Sequence, residues 1–359
     1  MVCDEELHGG YTYGRRVELD FSVNTNPLAQ PLLPELAKAA ARGLEGLTQY
    51  PDMHYHRLRE AIARQEGLSP EQVICGNGAS ELLWAVARAF APKRALLPAP
   101  AYSGYERALS ADRSCEIQYY YMKEERQFRL EEDFLPVLSA AFDMVILADP
   151  NNPTGQRIPE ALLMKICRRC HEEGILPVVD VCYYSLSSRK PLSEIMQPAW
   201  ELCPKAVFVN AFTKNLALPG LRLDYLMAGD EAVLAKLRRT LPEWNVSAVA
   251  EEMGTAAAEL LEESDFLSRS QAYIALEGPW LAKQLEGLGL VVFDSEANFL
   301  LVKTEAGRKD RLWEGLLEQG ILVRDCENFV GLDPGFLRIA IRRHEENKRL
   351  IEAMRWILK

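Results

Sequence analysis

The sequence predicts an α/β protein that combines a three-layer large domain, built on a mostly parallel sheet, with a smaller α+β domain. Over the first two thirds of the chain, short apolar runs alternate with helical patterns. Repeated strand–helix units of this length favour a parallel sheet covered on both faces. After Gly229 the pattern changes to long helices and then to short strands. We expect an N-terminal arm at residues 1–30, the large domain at 31–255 and the small domain at 256–359.

The elements follow from local pattern and from helix-breaking residues. In the arm, Asn24 and Pro27 interrupt any helix, and Gly67 ends a helix that begins near residue 56. Strands of the large domain are expected at 72–77, 94–100, 116–122, 144–150, 176–181 and 206–212. Helices are expected at 34–43, 81–91, 159–173, 231–239, 248–262, 265–288 and 344–358. Strands of the small domain are expected at 290–294, 298–303, 320–325 and 336–341.

Composition restricts the class of function. The 359 residues carry a net charge of −11, which argues against nucleic acid or an anionic membrane as the main partner. No apolar run approaches the roughly 18 residues that a membrane-spanning helix needs. The first ten residues are acidic and lack the apolar core of a secretory signal. We therefore expect a cytoplasmic protein whose eight cysteines are reduced.

One cysteine pattern suggests a different chemistry and is rejected. Residues 167–171 read Cys-Arg-Arg-Cys-His, the pattern of covalent haem attachment. They lie within a segment in which Leu162, Leu163 and Ile166 recur at helical spacing, so we interpret the segment as an amphipathic helix. No second Cys/His pair stands at zinc-ligand spacing, and no metal site is predicted.

The stretch from residue 207 to 226 carries the first functional signal. An apolar strand ends at Thr213-Lys214, a Pro-Gly turn follows, and Arg222 stands eight residues after the lysine. Desolvation lowers an amine's pKa and frees its lone pair for reaction with an aldehyde, and an arginine fork suits a phosphate. A reactive lysine with a phosphate-binding arginine is the combination that pyridoxal phosphate requires. Taken alone, Lys214 could be a solvated loop lysine, which is the commoner case for a single lysine.

Further candidates follow the other predicted strands, and the carboxyl ends of parallel strands meet at one edge of a sheet. Asp180 ends an apolar strand and would pair with a protonated pyridine nitrogen, the alternative being a carboxylate bonded to nearby backbone. Tyr183 and Asn152 would donate to the phenolic oxygen of the cofactor. Tyr102 would stack on the ring or serve as a core aromatic.

The phosphate has a second predicted contact at the start of a helix. Gly78, Ala79 and Ser80 precede the helical segment 81–91. Backbone amides at a helix N-terminus bind anions. We expect these amides to cradle the phosphate together with Arg222.

These residues belong to a set of motifs that resembles the fold-type I pyridoxal-phosphate family, and within it the class II aminotransferases. In chain order the motifs are NTNP, YPD, GNGASEL, PAYSGY, DPNNPTG, D-x-x-Y, Thr-Lys with arginine eight residues later, NFLLV and LRIAIRRHEEN. The resemblance extends over essentially the whole chain. It implies a homodimer with shared active sites.

The resemblance also assigns residues that local pattern does not. It implies that Tyr50 reaches the cofactor phosphate of the partner subunit and that Thr213 keeps a hydroxyl beside Lys214. It implies that Arg324 and Arg338 bind the anionic groups of a substrate. Further substrate contacts would come from Asn24 and from His8 in the N-terminal arm.

Two groups within the family fit best: the threonine-phosphate decarboxylases of cobalamin synthesis, first, and the histidinol-phosphate aminotransferases, second. HGG near the N-terminus, DFSVNTNP and PEWNVSAVAEE resemble the first group. A non-catalytic binding protein on the same fold is a third alternative. Both reactions use the same lysine and cofactor, so these residues do not choose between them.

The chain departs from the family pattern near Lys214. The family often has a hydroxyl three residues before the lysine, where this chain has Ala211, and the decarboxylases have an arginine where this chain has Asn210. Asp224 stands where glycine is usual and puts a carboxylate near the predicted phosphate site. None of these changes removes a group that the cofactor chemistry needs.

Overall fold

A computed structural model of the chain describes residues 9–111, 114–187 and 190–359. It is an α/β structure with a large, mostly parallel sheet and separate smaller sheets, which confirms the predicted fold class. His8, one of the predicted substrate contacts, lies outside the described residues. Among those residues, no helix combines the length and apolar character required to cross a membrane.

The described strands are short. They are β1 (Leu19–Asp20), β2 (Val73–Gly76), β3 (Arg94–Ala99), β4 (Glu116–Tyr121), β5 (Met144–Ala148), β6 (Leu176–Asp180), β7 (Val207–Ala211), β8 (Asp224–Ala228), β9 (Val291–Val292), β10 (Phe299–Lys303), β11 (Ile321–Leu322), β12 (Arg324–Asp325) and β13 (Phe336–Ala340).

The α-helices cover both faces of the large sheet and much of the small one. They are α1 (Leu33–Glu45), α2 (His56–Glu66), α3 (Ala79–Phe90), α4 (Ser103–Ser110), α5 (Glu160–Glu173), α6 (Tyr184–Ser187), α7 (Ser193–Leu202), α8 (Phe212–Asn215), α9 (Glu231–Arg238), α10 (Ala248–Glu263), α11 (Phe266–Glu286), α12 (Ala306–Glu318) and α13 (His344–Ile357).

The large sheet has seven strands in the order β2-β8-β7-β6-β5-β3-β4. The pairs from β4 through to β7 are parallel, whereas β8 runs antiparallel to both β2 and β7. Alternate residues of β5 enter two hydrophobic cores: Val145 packs in the core that contains Leu163 of α5, and Ile146 in the core that contains Leu83 of α3. This alternation is the physical basis of the three layers.

A second sheet holds β12-β13-β10-β9. Its strands are antiparallel, and Arg324 of β12 lies directly opposite Arg338 of β13. The N-terminal segment is joined to this part of the chain, because β1 pairs in parallel with β11. The division of the chain at residues 30 and 255 remains a prediction.

Most predicted elements are present with ends shifted by a few residues. Strands β1 and β8 and helices α4, α6, α7, α8 and α12 were not predicted from the sequence. Strand β8 follows the turn at Pro219-Gly220. That turn reverses the chain into an antiparallel strand, so Asp224 reaches the same sheet edge as Lys214.

The Cys-Arg-Arg-Cys-His segment lies in α5, where Cys167 and Cys170 are buried in the core. Burial raises the pKa of the Cys167 thiol to about 12, so this side chain packs as a neutral apolar group. Within the described ranges, no group of three or more His, Cys, Asp or Glu side chains could hold a metal ion.

Candidate active site

A cavity of about 240 Å³ lies at the carboxyl edge of the parallel strands, between the large sheet and the β12–β13 pair. Twelve residues singled out from the sequence line it together. They are Asn24, Ala79, Ser80, Tyr102, Asn152, Asp180, Tyr183, Thr213, Lys214, Arg222, Arg324 and Arg338. The structure thus brings together positions that are far apart in the sequence.

The topology of the sheet explains this convergence. Tyr102 follows β3, Asn152 follows β5, and Asp180 ends β6. Lys214 lies in α8, the single turn of helix that continues directly from β7. Since these strands are parallel, their carboxyl ends deliver all four side chains to one edge.

Lys214 is only partly exposed, and its ammonium lies 5.4 Å from the centre of the Tyr183 ring. Burial, the strongest influence, lowers the pKa of Lys214, but the interactions with Tyr183 and Cys182 together outweigh burial and the charge of Arg338. The pKa is therefore raised above its ordinary value. The lowering that desolvation alone predicted is wrong, because the prediction neglected these neighbours.

Asp180 is held by two donors. The Tyr105 hydroxyl donates to its Oδ2 at 2.7 Å, and the backbone N–H of Cys182 donates to its Oδ1 at 3.0 Å. Burial, followed by the charge of Asp180, raises the pKa of Tyr105 well above its ordinary value, so the phenol keeps its proton and remains a donor. The carboxylate is thereby fixed in orientation toward the pocket.

Arg222 lies against the start of α3. Gly78 has φ +87°, and a Cβ at this position would lie 2.0 Å from the Nη2 atom of Arg222. Gly78 itself does not line the cavity, but its missing side chain leaves the space that the guanidinium occupies. The guanidinium also donates to the carbonyl of Pro219 at 3.0 Å, which holds the fork in the tight turn.

The predicted phosphate donors already have a partner in this structure. Asp224 Oδ2 accepts from the backbone N–H of Ala79 at 2.7 Å, and Oδ1 accepts from the backbone N–H of Thr213 at 3.2 Å and its hydroxyl at 3.1 Å. The sequence placed a carboxylate near this site. It did not indicate that the carboxylate would accept hydrogen bonds from the predicted phosphate donors.

Arg338 reaches from the small sheet into the same cavity. Its guanidinium donates to the side-chain oxygen of Asn152 and, at 2.6 Å, to the carbonyl of Ser22. Asn152, which was expected to donate to the cofactor, therefore presents its oxygen to Arg338. The Nε of Arg338 and the Oδ1 of Asn24 are buried, and neither has a hydrogen-bond partner among the described residues.

Arg324 lies beside Arg338 as its cross-strand neighbour. It donates to Asn328 at 2.6 Å and lies 5.2 Å from the centre of the Phe329 ring. Burial, with a further contribution from the charge of Arg338, lowers the pKa of Arg324 to about 10. Two neighbouring buried cations create a site with a strong preference for an anion.

One further predicted residue does not reach this cavity within a single chain. Tyr50 is 80% exposed and stacks on Trp244, with ring centroids 4.6 Å apart.

Three residues that line the cavity were not predicted from the sequence: Tyr105, Ser22 and Phe329. Tyr105 lies in the PAYSGY motif, one helical turn after Tyr102, and that spacing was a signal that could have found it.

The pocket fits the predicted pyridoxal phosphate in most respects. A buried carboxylate, a lysine, an arginine held against a glycine, and a helix N-terminus lie around one cavity. The unsatisfied atoms of Asn24 and Arg338 offer an acceptor and a donor to a polar ligand. Asp224 is the exception, because a carboxylate disfavours a phosphate beside it.

Comparison with known proteins agrees with this reading. The family model for aminotransferase class I and II matches residues 16–354. Threonine-phosphate decarboxylase of Salmonella typhimurium is 34% identical over 95% of this chain and 91% of its own length. Histidinol-phosphate aminotransferase of Desulfitobacterium hafniense is 30% identical over 96% of this chain and 92% of its own.

Among solved structures, the histidinol-phosphate aminotransferase of Clostridium acetobutylicum superposes with a TM-score of 0.85. It is 26% identical, and the match covers 95% of this chain and 99% of that one. Family model, relatives and fold thus agree over nearly the whole length. The chain belongs to the aminotransferase class I and II family and is a pyridoxal-phosphate-dependent enzyme.

Proposed function

We propose that this enzyme decarboxylates a phosphorylated amino acid, with threonine phosphate as the substrate. The observation that carries the proposal is the pairing of Arg324 and Arg338 on the wall that faces Lys214. Two buried guanidiniums in one pocket suit a substrate with two anionic groups, and threonine phosphate carries a carboxylate and a phosphate. The relative from Salmonella typhimurium supports the same choice.

Pyridoxal phosphate, when bound, supplies a ring that withdraws the electrons left at Cα when a bond to that carbon breaks. We propose that Asp180 holds the proton on the ring nitrogen. Its two donors, Tyr105 and the amide of Cys182, keep the carboxylate oriented for this task. Tyr183, whose hydroxyl accepts from Asn24 at 3.4 Å, would contact the phenolic oxygen. Tyr102 would cover the face of the ring.

Lys214 is proposed as the residue that binds the cofactor covalently and moves the proton. Its raised pKa means that the side chain carries a proton at neutral pH. In decarboxylation the bond from Cα to the carboxylate breaks, carbon dioxide leaves, and one proton is added to Cα. We assign the supply of this proton to the Lys214 ammonium, which lines the cavity.

The phosphate of the cofactor is assigned to the site formed by Gly78, Ala79, Ser80, Thr213 and Arg222. The amides at the start of α3 and the arginine fork offer both charge and directed donors. The small volume of Gly78 lets the guanidinium approach the helix end.

The reaction outcome depends on which bond to Cα stands perpendicular to the ring. We propose that Arg324 and Arg338 decide this by holding the two substrate anions. Asn24, with its buried unpaired oxygen, would accept from the substrate amine or a neighbouring hydroxyl. His8 remains a candidate third contact.

Transamination of a histidinol-phosphate-type substrate is the second candidate. It is favoured by the superposition on the Clostridium acetobutylicum enzyme. Such a substrate has a phosphate but no carboxylate, so one of the two arginines would lack an anion. The carboxylate of the second substrate, an oxo acid, would then need to bind the remaining arginine.

A homodimer with shared active sites is part of the proposal. The exposed ring of Tyr50 stacks on Trp244, and Leu44, Leu47 and Met53, near Tyr50 in the sequence, are also exposed apolar side chains. We propose that this patch meets a second copy of the chain and that Tyr50 contacts the cofactor phosphate of that copy. A cytoplasmic location remains the prediction made from the sequence.

Mixing two inactive variants tests the shared site. In a hybrid of Lys214→Ala and Tyr50→Ala protomers, one site combines an intact lysine with an intact partner tyrosine. Activity above the mean of the separate proteins is therefore expected after mixing. Tyr13, also 80% exposed, provides the matched control: Tyr13→Ala alone should keep full activity. No recovery on mixing would contradict a shared site.

The reaction itself is tested with two incubations. The purified enzyme with pyridoxal phosphate is given threonine phosphate alone, and separately histidinol phosphate with 2-oxoglutarate. Release of carbon dioxide and aminopropanol phosphate in the first supports decarboxylation. Formation of glutamate in the second, with no carbon dioxide in the first, would assign the enzyme to transamination. Lys214→Ala is the negative control for both.

A further inference from the structure

Asp224 stands at the edge of the sheet in the middle of the proposed phosphate site. It begins β8, and its cross-strand neighbours are Gly76 of β2 and Ala211 of β7. Both neighbours are small, so the carboxyl group has room to turn toward the start of α3. The side chain is only 2% exposed.

The carboxyl group of Asp224 accepts hydrogen bonds from the donors that were predicted to bind the phosphate. Its two oxygens accept from the Ala79 amide, the Thr213 amide and the Thr213 hydroxyl, between 2.7 and 3.2 Å. A phosphate approaching the same helix end would require these donors. A charged Asp224 would therefore compete for them and repel the phosphate.

The surroundings of Asp224 favour a proton on it. Burial, the strongest influence, raises its pKa to about 6, although the bonds from Thr213 and Ala79 and the charge of Arg222 lower it. Other titratable groups around it include Cys182 and Tyr225, on which its charge acts. Further titratable groups line the same cavity: Lys214, Asp180, Tyr102, Tyr105, Tyr183, Arg324 and Arg338. A phosphate nearby would raise the proton affinity further, since like charges disfavour each other.

We propose that Asp224 binds the phosphate of pyridoxal phosphate in its protonated form, as a hydrogen-bond donor, and that cofactor binding is therefore linked to proton uptake. The inference rests on the cofactor assignment and adds a residue to its phosphate site. In the free enzyme the carboxylate keeps the donors of Ala79 and Thr213 satisfied. On binding, the phosphate takes these donors and the protonated Asp224 becomes a further one.

The test uses pyridoxine 5′-phosphate, which carries the same phosphate but has no aldehyde to react with Lys214. Its dissociation constant is measured by calorimetry from about pH 6 to about pH 8 for the parent enzyme and for Asp224→Asn. The parent's affinity should fall with rising pH, by up to about tenfold per unit above about pH 6. Asparagine offers a permanent donor of the same shape, so Asp224→Asn should bind with nearly constant affinity and more tightly than the parent at the highest pH.

The sign of the effect separates this proposal from binding by Arg222 alone. The phosphate loses its second proton near pH 6, and a dianion binds a cation better, so affinity would then increase with pH. Repeating the titration in buffers of different ionisation enthalpy counts protons directly. About one proton should be taken up per ligand by the parent near the upper end of this range, and fewer by Asp224→Asn.

Three results would overturn the proposal. The first is the same pH dependence in both proteins. The second is no proton uptake by the parent, a result that stands even if Asp224→Asn fails to fold. The third is no binding of pyridoxine 5′-phosphate by either protein at any pH, which would contradict the proposed phosphate site as well as the role of Asp224.

Discussion

Arg338 of the small sheet donates a hydrogen bond to the side chain of Asn152, which follows β5, an interior strand of the large sheet. The two residues are 186 positions apart. One arginine thereby holds the two walls of the cavity together through Asn152 and the Ser22 carbonyl. Any anion that binds Arg338 joins or replaces these neutral acceptors.

Arg338→Ala should therefore affect substrate binding more than cofactor binding. Leaving a desolvated substrate anion unpaired costs about 2–5 kcal/mol, seen as a lower kcat/KM on threonine phosphate. Arg349→Ala is the control, because Arg349 forms an exposed ion pair with Glu18 and is not among the residues that line the cavity. Equal kcat/KM values for Arg338→Ala and the parent would remove Arg338 from the substrate site.

Lys214→Ala should abolish turnover, since no other lysine lines the cavity among the described residues. Before any amine substrate is added, the bound cofactor should also lack the visible absorbance that its bond to Lys214 gives the parent enzyme. Both readouts follow from a covalent role. A loss of only tenfold, about 1.4 kcal/mol of barrier, is too small for such a role and would reject it.

Asp180→Asn should lower turnover more than it lowers cofactor affinity, because a charge on the ring nitrogen matters most in the transition state. Tyr105→Phe removes one of the two donors to Asp180 and should give a smaller loss of the same kind. Turnover at saturating cofactor, together with the cofactor dissociation constant, measures both effects. If Asp180→Asn lowers affinity and rate equally, Asp180 is an ordinary buried carboxylate.

Gly78→Ala should release the cofactor on dialysis by pushing the Arg222 guanidinium away from the helix end. Gly174→Ala is the matched control: Gly174 also has a positive φ, but a Cβ there meets no atom within 4 Å. Arg222→Lys should retain cofactor only in part, since a point charge replaces the planar fork. Retention by Gly78→Ala equal to that of Gly174→Ala would show that the close approach of Arg222 is not needed.

Glu66 makes the stability of the fold depend on pH. It is buried, accepts from Tyr225 at 2.5 Å and from Asn210 at 3.1 Å, and burial raises its pKa to about 6. The folded state therefore binds more protons than the unfolded state between the ordinary glutamate pKa of 4.5 and the raised pKa of about 6. The free energy of unfolding should fall as pH rises through this window, by about 2 kcal/mol in total.

The glutamine variant isolates this contribution. Glu66→Gln keeps an acceptor but cannot ionise, so denaturant unfolding should show a weaker pH dependence than the parent over the same window. Glu60→Gln, on the exposed face of the same helix, should behave like the parent. Identical pH profiles for Glu66→Gln and the parent would mean that Glu66 does not titrate there.

Much of the cofactor site could be predicted because parallel strands deliver their carboxyl ends to one edge. A residue that follows a buried strand, such as Asp180 or Asn152, is placed by the topology alone. The partners of these residues could not be predicted in this way. The bond from Tyr105 to Asp180 depends on how α4 packs, and the bond from Arg338 to Asn152 depends on how the two sheets meet.

The pKa of Lys214 illustrates a second limit. Burial lowers the pKa of an amine, and burial was the only influence on Lys214 that an apolar strand could indicate. The neighbours that reverse the result, Tyr183 and Cys182, act through distances of a few ångströms that local sequence does not give. The same holds for Asp224, whose approach to the Ala79 amide depends on an antiparallel strand that the pattern did not reveal.

The pairing of β1 with β11 has a consequence for how the enzyme is made. Leu19 is synthesised long before its partner Ile321. Ser22 and Asn24 follow the first of these strands, and Arg324 follows the second. A nascent chain therefore has no complete pocket until Arg338, which also lines the cavity, has been synthesised. Until then, we expect the N-terminal segment to wait unpaired and to be the part most accessible to proteases and chaperones.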